Sequence, residues 1–142
     1  WAERVLEPLT GVGLELARRY WPGPVTLVDH ARMGLCHWLQ RDGKVGVRVP
    51  GPSPALELVR AFAGPLTATS ANLSGQPSAR STEQVRGYFP AGLGFVVPLD
   101  APGGEASAVV DVSVEPAHLI RPGGPLPDPA ALDALHRELR GA

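Results

Sequence analysis

Two hydrophobic periods take turns along this chain. Val45, Val47 and Val49 alternate with Gly46 and Arg48, the spacing of a strand with one covered face, whereas Leu6, Leu9, Leu14, Ala17 and Tyr20 recur at helical spacing. A chain that keeps switching between these periods favours a layered α/β or α+β domain, a twisted mixed sheet flanked by helices, over a bundle or a sandwich.

Punctuation residues divide the pattern into elements. A helix is expected from Leu6 to Tyr20, with Arg18 and Arg19 near the end that suits cations, stopping before Trp21-Pro22-Gly23-Pro24. Val25 to Val28 reads as a buried strand and Met33 to Leu39 as a short helix or covered loop. Asp42-Gly43 signals a turn into a second strand, 45–49, with Arg48 on the face opposite the valines. Ser53-Pro54 opens a helix with an apolar stripe at Leu56, Val59 and Phe62, ending near Gly64. Leu66 to Ser70 is expected as a strand, and Ser81-Thr82-Glu83-Gln84 as a capping box for a helix to about Tyr88. Phe95 to Leu99, Val109 to Val112 and His118 to Arg121 are further strand candidates, and Asp128-Pro129 caps a last helix with Leu132, Leu135 and Leu139 on one face. Residues 102–107 read as a flexible surface loop and 122–127 as a short linker.

Composition narrows the function classes. With 142 residues the chain fits one domain, and its net charge of -1 argues against a binder that relies on a basic stripe to hold nucleic acid. Lys44 is the only lysine, and arginine carries the remaining positive charge. Cys36 stands alone, so a reducing cytoplasm is the simplest setting and a buried thiol the expectation. No apolar run is long enough to span a bilayer, no signal peptide is visible, and a soluble protein with no membrane partner is expected. His30, His37, His118 and His136 show no metal-ligand spacing, and no protein-bound metal is expected. Gly92-x-Gly94 and Gly103-Gly104 lack the rest of a dinucleotide fingerprint, and no phosphate loop of the Gly-x-x-x-x-Gly-Lys kind occurs. The chain begins at Trp1 with no methionine before it, and either processing or selection of a fragment is expected to account for that.

Five short segments carry chemistry-bearing residues. Thr69-Ser70-Ala71-Asn72-Leu73-Ser74-Gly75 offers hydroxyls, an amide and a glycine, either as a ligand-facing surface or as an ordinary turn after a strand. Trp21-Pro22-Gly23-Pro24-Val25-Thr26 couples a rigid turn to a strand and serves as a connector or as a pocket wall. Arg48 among valines either faces solvent or pairs with an anion. Ser107-Ala108-Val109-Val110-Asp111 sets a hydroxyl before two apolar residues, with Asp111 read as a structural turn acceptor. Leu119-Ile120-Arg121-Pro122-Gly123 puts a second arginine at a strand end, where ligand sites of sheet proteins gather.

Taken in order, Arg19-Tyr20 with the Trp21 to Thr26 segment, Val45-Gly46-Val47-Arg48-Val49-Pro50, and the segments from Thr69, Ser107 and Leu119 resemble the YrdC-like family of L-threonylcarbamoyladenylate synthases. The resemblance implies a nucleotidyltransferase that condenses L-threonine, bicarbonate and ATP into threonylcarbamoyl-AMP and diphosphate. It implies partner proteins that pass the group to tRNA, possible contact with tRNA itself, and Mg²⁺ brought with ATP rather than held by a protein cage. On matching positions, Lys44, Ser70, Ser78 and Arg121 would contact ATP or the adenylate, and Arg48, Ala68 and Ser107 would surround the threonine. Ser70 and Asn72 form the Ser-x-Asn signature and would be catalytic. An arginine suits carboxylate and phosphate alike, and such a charge-assisted bond contributes roughly 1.5 to 3 kcal/mol.

The family also carries an amino-terminal strand and a Lys-x-Arg motif for the triphosphate, and neither is in this sequence. Residues 1–142 are therefore expected to be the carboxy-terminal two-thirds of one YrdC-like domain of the single-domain form, lacking its first strands and nearly inactive alone. Threonine is usual in the family where Lys44 and Ala108 stand. Two alternatives stay open: a carbamoyl-transfer domain of the same fold, and a noncatalytic paralogue that binds a nucleotide or RNA.

Overall fold

The structure, a computed structural model, describes residues 1–101 and 106–141. Most of the loop expected at 102–107 lies outside them. The chain divides into two units, Trp1–Pro65 with Glu105–Ala142, and Leu66–Gly104.

In the first unit, the segments with strand periodicity pair into one sheet. β1 (Val25–His30), β2 (Lys44–Val47), β3 (Ala108–Asp111) and β4 (His118–Arg121) lie in the order β2-β1-β3-β4. β1 runs antiparallel to β2 and parallel to β3, and β3 runs antiparallel to β4. Strand alternation gives the sheet two unlike faces. Val25, Leu27, Ala108 and Val110 are fully buried on one, packed with Leu16 of α1 (Gly11–Tyr20) and with Leu132 and Leu135 of α4 (Pro129–Arg140). Full burial of a Val or Leu side chain contributes about 1.5–3 kcal/mol, so this face anchors the unit. Arg19 ties the two helices together, its guanidinium reaching Glu15 on its own helix and both carboxylate oxygens of Glu138 on α4.

α1 begins later than its apolar spacing predicts. Pro8 follows Leu6 and disfavours helical geometry at Glu7, so Ala2–Arg4 form only a 3₁₀ turn and Leu6 instead bridges Ala31. β2 ends at Val47, which leaves Arg48 just beyond the strand rather than inside it. The Met33 to Leu39 segment is not covered: it holds one 3₁₀ turn, His37–Leu39, with Met33 94% and Trp38 83% exposed. Cys36 shares that exposed connection, so the buried thiol expected from its apolar character is not found.

Asp42 and Gly43 both take positive φ, and Arg41 and Lys44 bridge across them, as the turn signal requires. α2 (Pro54–Phe62) starts where Ser53 Oγ accepts from the Leu56 N–H, and it ends with Ala63 in the left-handed region. Asp128 caps α4 in the same way, accepting from the Ala131 N–H at 3.0 Å.

The second unit holds α3 (Thr82–Tyr88). Ser81 Oγ accepts from the Gln84 N–H, while the Gln84 side chain reaches back to the Arg80 N–H, one residue earlier than the expected capping box. Neither Leu66 to Ser70 nor Phe95 to Leu99 is a strand, and Phe95 is 80% exposed. Both runs have strand-like composition, but neither meets a partner edge within the described residues of its unit. A strand needs such an edge to satisfy its backbone groups.

Candidate functional site

The sheet face turned away from α1 and α4 collects polar side chains in rows. Thr26, Val109 and Arg121 are register partners across β1, β3 and β4. Gly46, Val28, Asp111 and His118 form the next row, and Lys44 pairs with His30 beyond it. Residues that face one another across strands share a side of the sheet, so Thr26, Lys44 and Asp111 belong to this face, and Arg121, past a bulge between Val109 and Val110, joins them through its bond to Ser107 Oγ. Trp21 to Thr26, Val45 to Pro50, Ser107 to Asp111 and Leu119 to Gly123, far apart in sequence, meet here.

At one end of the face, Arg121 grips Ser107. Its Nε and Nη2 donate to the Ser107 carbonyl oxygen at 3.1 and 2.7 Å, and Nη2 also donates to Ser107 Oγ at 3.1 Å. Ser107 Oγ lies 3.1 Å from Thr26 Oγ1 as well. Gly123 makes this closeness possible, because a Cβ there would fall 2.1 Å from the Ala106 carbonyl oxygen and 3.0 Å from Ala108 N. Arg121 and Ser107, assigned to different substrates by sequence, are thus in direct contact.

Toward the other end, Lys44 Nζ pairs with Asp111 Oδ2 at 3.0 Å. Asp111 Oδ1 accepts from both the backbone N–H and the hydroxyl of Ser113. Desolvation pushes the Asp111 carboxyl upward, but the bonds from Ser113 and Lys44 and the lysine charge outweigh it and hold the group below its ordinary value. The structural role read for Asp111 is present, and the ion pair adds to it. Lys44, at the start of β2, is drawn onto the sheet face by this pair. The pair borders an open hollow of about 570 Å³ that Val28, Gly46, Trp38 and Ile120 also line.

Arg48 is exposed and its guanidinium has no hydrogen-bond or ion-pair partner among the described residues. It borders a shallower hollow of about 260 Å³ with Gly23, Pro24, Pro50 and Ser53. The Gly23 N–H donates to the Val49 carbonyl at 2.8 Å, which fixes the Trp21 to Pro24 turn against the stretch that carries Arg48. Trp21 Nε1 donates to the Val25 carbonyl, locking the turn from within.

The second unit carries Ala68, Ser70, Asn72 and Ser78. Leu73 to Gln76 make a turn closed by the Gln76 N–H on the Leu73 carbonyl, with Gly75 at positive φ, and the Ala79 N–H bonds the Ala71 carbonyl to draw the segment back on itself. Ser70 and Ser78 are exposed, and neither hydroxyl is bonded among the described residues. Asn72 Nδ2 donates to the Leu73 carbonyl, whereas its Oδ1 is buried without a partner. A buried orphan acceptor costs about 1–3 kcal/mol, so this one calls for a donor.

Sequence reasoning quoted Thr26 but gave it no role. Its signal was its place at the strand end of the Trp21 to Thr26 segment. Among the described residues, no group of three or more His, Cys, Asp or Glu side chains could hold a metal ion, and no helix is long and apolar enough to cross a membrane.

A mixed sheet with one face packed on helices and the other bearing an arginine, a lysine, a carboxylate and hydroxyls defines an α/β domain with one polar, open face. The family model for Sua5, YciO and YrdC proteins, described as telomere recombination, matches residues 1–123, and the chain belongs to this family. It is 45% identical over 85 residues to the threonylcarbamoyl-AMP synthase of Klebsiella pneumoniae subsp. pneumoniae, covering 59% of this chain and 44% of that protein. The crystal structure of P. abyssi Sua5 complexed with L-threonine superposes with a TM-score of 0.79 at 32% identity, covering 87% of this chain and 37% of that one. E. coli YciO shares the fold, with a TM-score of 0.76 at 20% identity over 86% of this chain and 60% of that one. The chain spans 33–54% of the length of the first curated relatives it matches.

Proposed function

We propose that the protein is a threonylcarbamoyl-AMP synthase, forming threonylcarbamoyl-AMP and diphosphate from L-threonine, bicarbonate and ATP. The observation that carries the reading is the contact between Arg121 and Ser107 on the open sheet face, a cation and a hydroxyl presented together to an anionic ligand. The curated relatives named threonylcarbamoyl-AMP synthase and the threonine-bound Sua5 structure support it.

In this reading Arg48, Ala68 and Ser107 serve the threonine, with the unpaired Arg48 guanidinium taking its carboxylate. Lys44, Ser70, Ser78 and Arg121 serve the nucleotide, Arg121 through a phosphate. Ser70 and Asn72 act at the reacting groups, where the Asn72 Oδ1 atom supplies an acceptor. Forming the mixed anhydride at phosphorus requires aligned reactants and charge neutralisation more than a protein nucleophile, and arginines with neutral hydroxyls provide both. Mg²⁺ enters on the triphosphate as part of the substrate. Residues 1–142 form the carboxy-terminal two-thirds of the catalytic domain, and the product passes in the cytoplasm to the proteins that modify tRNA.

The test is diphosphate release by the natural gene product as a function of L-threonine, bicarbonate and ATP. Ser70→Ala, Arg48→Ala and Arg121→Ala should each depress it, and wild-type rates in all three would refute the site. Release that ignores threonine but follows carbamoyl phosphate would replace the reading with a carbamoyl transferase.

A further inference from the structure

We infer that Thr26 is a positioning residue for the threonine subsite, holding Ser107 as a hydrogen-bond donor toward an oxygen of the bound amino acid; this rests on the synthase reading. The argument is a count of protons. A hydroxyl has one proton to give and two lone pairs to accept with. Arg121 Nη2 fills one lone pair of Ser107 Oγ, and the 3.1 Å contact with Thr26 Oγ1 consumes one proton of the two that the hydroxyl pair owns. One hydroxyl proton is left over. Because Arg121 has no acceptor to offer, the cluster cannot absorb that proton internally among the contacts it makes. If Thr26 donates to Ser107, both lone pairs of Ser107 are engaged and its own O–H must point elsewhere. The first arrangement is the one inferred; in the second, with Ser107 donating to Thr26, the spare proton sits on Thr26 and the effects of Thr26→Val and Ser107→Ala would be additive.

In either case the pair is a net donor beside a guanidinium, the chemistry that receives a carboxylate or carbonyl oxygen. Geometry fixes where it stands. Thr26 and Arg121 occupy one row of the sheet through Val109, so the two groups that hold Ser107 come from strands on either side of β3. Without the Thr26 hydroxyl, the Ser107 proton is free to turn and its donor direction is no longer set.

The experiment measures KM for L-threonine and kcat for diphosphate release in the natural gene product, with a thermal melt of each variant. Thr26→Val keeps the branched shape and removes the hydroxyl. It should raise KM for L-threonine by about three- to tenfold, the worth of one neutral hydrogen bond, with kcat and KM for ATP nearly unchanged. Thr26→Ser should restore KM. Thr26→Val combined with Ser107→Ala should be no worse than Ser107→Ala alone, because Thr26 acts through Ser107. An unchanged KM in Thr26→Val while Ser107→Ala raises it, additive effects in the double variant, or a loss of kcat that follows only a lowered melting temperature would each overturn the inference. If the wild-type protein shows no dependence on L-threonine, the synthase reading falls first and takes this inference with it, an outcome visible before any variant is made.

Discussion

Lys44 Nζ and Asp111 Oδ2, 3.0 Å apart, join β2 to β3 over the top of β1, the strand that separates them in the sheet. Both side chains are partly shielded, at 26% and 16% relative exposure, so the pair is neither a free surface bridge nor a fully buried one. Asp111→Asn should destabilise the fold by about 1–2 kcal/mol, through the weakened bonds to Lys44 and Ser113. The pH dependence follows from the lowered carboxyl. The unfolded group titrates near 3.8, so the stabilisation is complete above that value and is lost as pH falls through the lower folded value. Urea denaturation between neutral and acidic pH should show the variant and wild type converging at the acid end; a constant gap would contradict the assignment.

Arg48→Ala should separate binding from stability. The guanidinium is exposed and bonded to nothing among the described residues, so its removal should shift stability by no more than about 0.5 kcal/mol. Affinity for L-threonine should fall by roughly ten- to a hundredfold, the worth of a charge-assisted bond. Paired calorimetry and thermal melts check both halves.

Gly123→Ala should do the reverse. The added Cβ would collide with the Ala106 carbonyl oxygen, a backbone atom that cannot swing aside, and would part the β4 end from Ser107. We expect a loss of about 2 kcal/mol or more in stability. In the folded fraction, amide shifts in an NMR spectrum should concentrate around Ser107 and Arg121.

Asn72→Ala should cost little stability, within about 1 kcal/mol, because it removes an unsatisfied buried acceptor along with one hydrogen bond. Its effect on diphosphate release should be about tenfold or more, the equivalent of one well-used hydrogen bond. A stability loss without a rate loss would make Asn72 a purely structural residue.

What could be read from sequence had local causes. Helices begin where Ser53, Ser81 and Asp128 cap them, a matter of three or four neighbouring residues. β1, β3 and β4 announced themselves by their apolar residues, and the turn by the Asp42-Gly43 pair, whose residue types tolerate the positive φ both adopt. Leu66 to Ser70 misled because propensity favours a strand there, while strand formation depends on a neighbouring edge that propensity does not report. The site behaved likewise. Arg48, Ser107 and Arg121 stood out as motif residues, but the grip of Arg121 on Ser107, the Thr26 contact and the Lys44 to Asp111 pair are products of strand register. No local pattern encodes which residue lies opposite which across the parallel join of β1 and β3.

That parallel join also sets how the molecule must assemble. Between the end of β1 at His30 and the start of β3 at Ala108 runs β2, α2 and the whole of the Leu66–Gly104 unit. The β1–β2 hairpin can close early, whereas the central pairing waits on a long-range encounter that pays its loop-closure entropy before any contact rewards it. Refolding should therefore be slow for a domain of this size, with Val25 and Leu27 left uncovered in the meantime. Conditions that favour aggregation would act in that interval, and a chaperone or a bound ligand would matter most there.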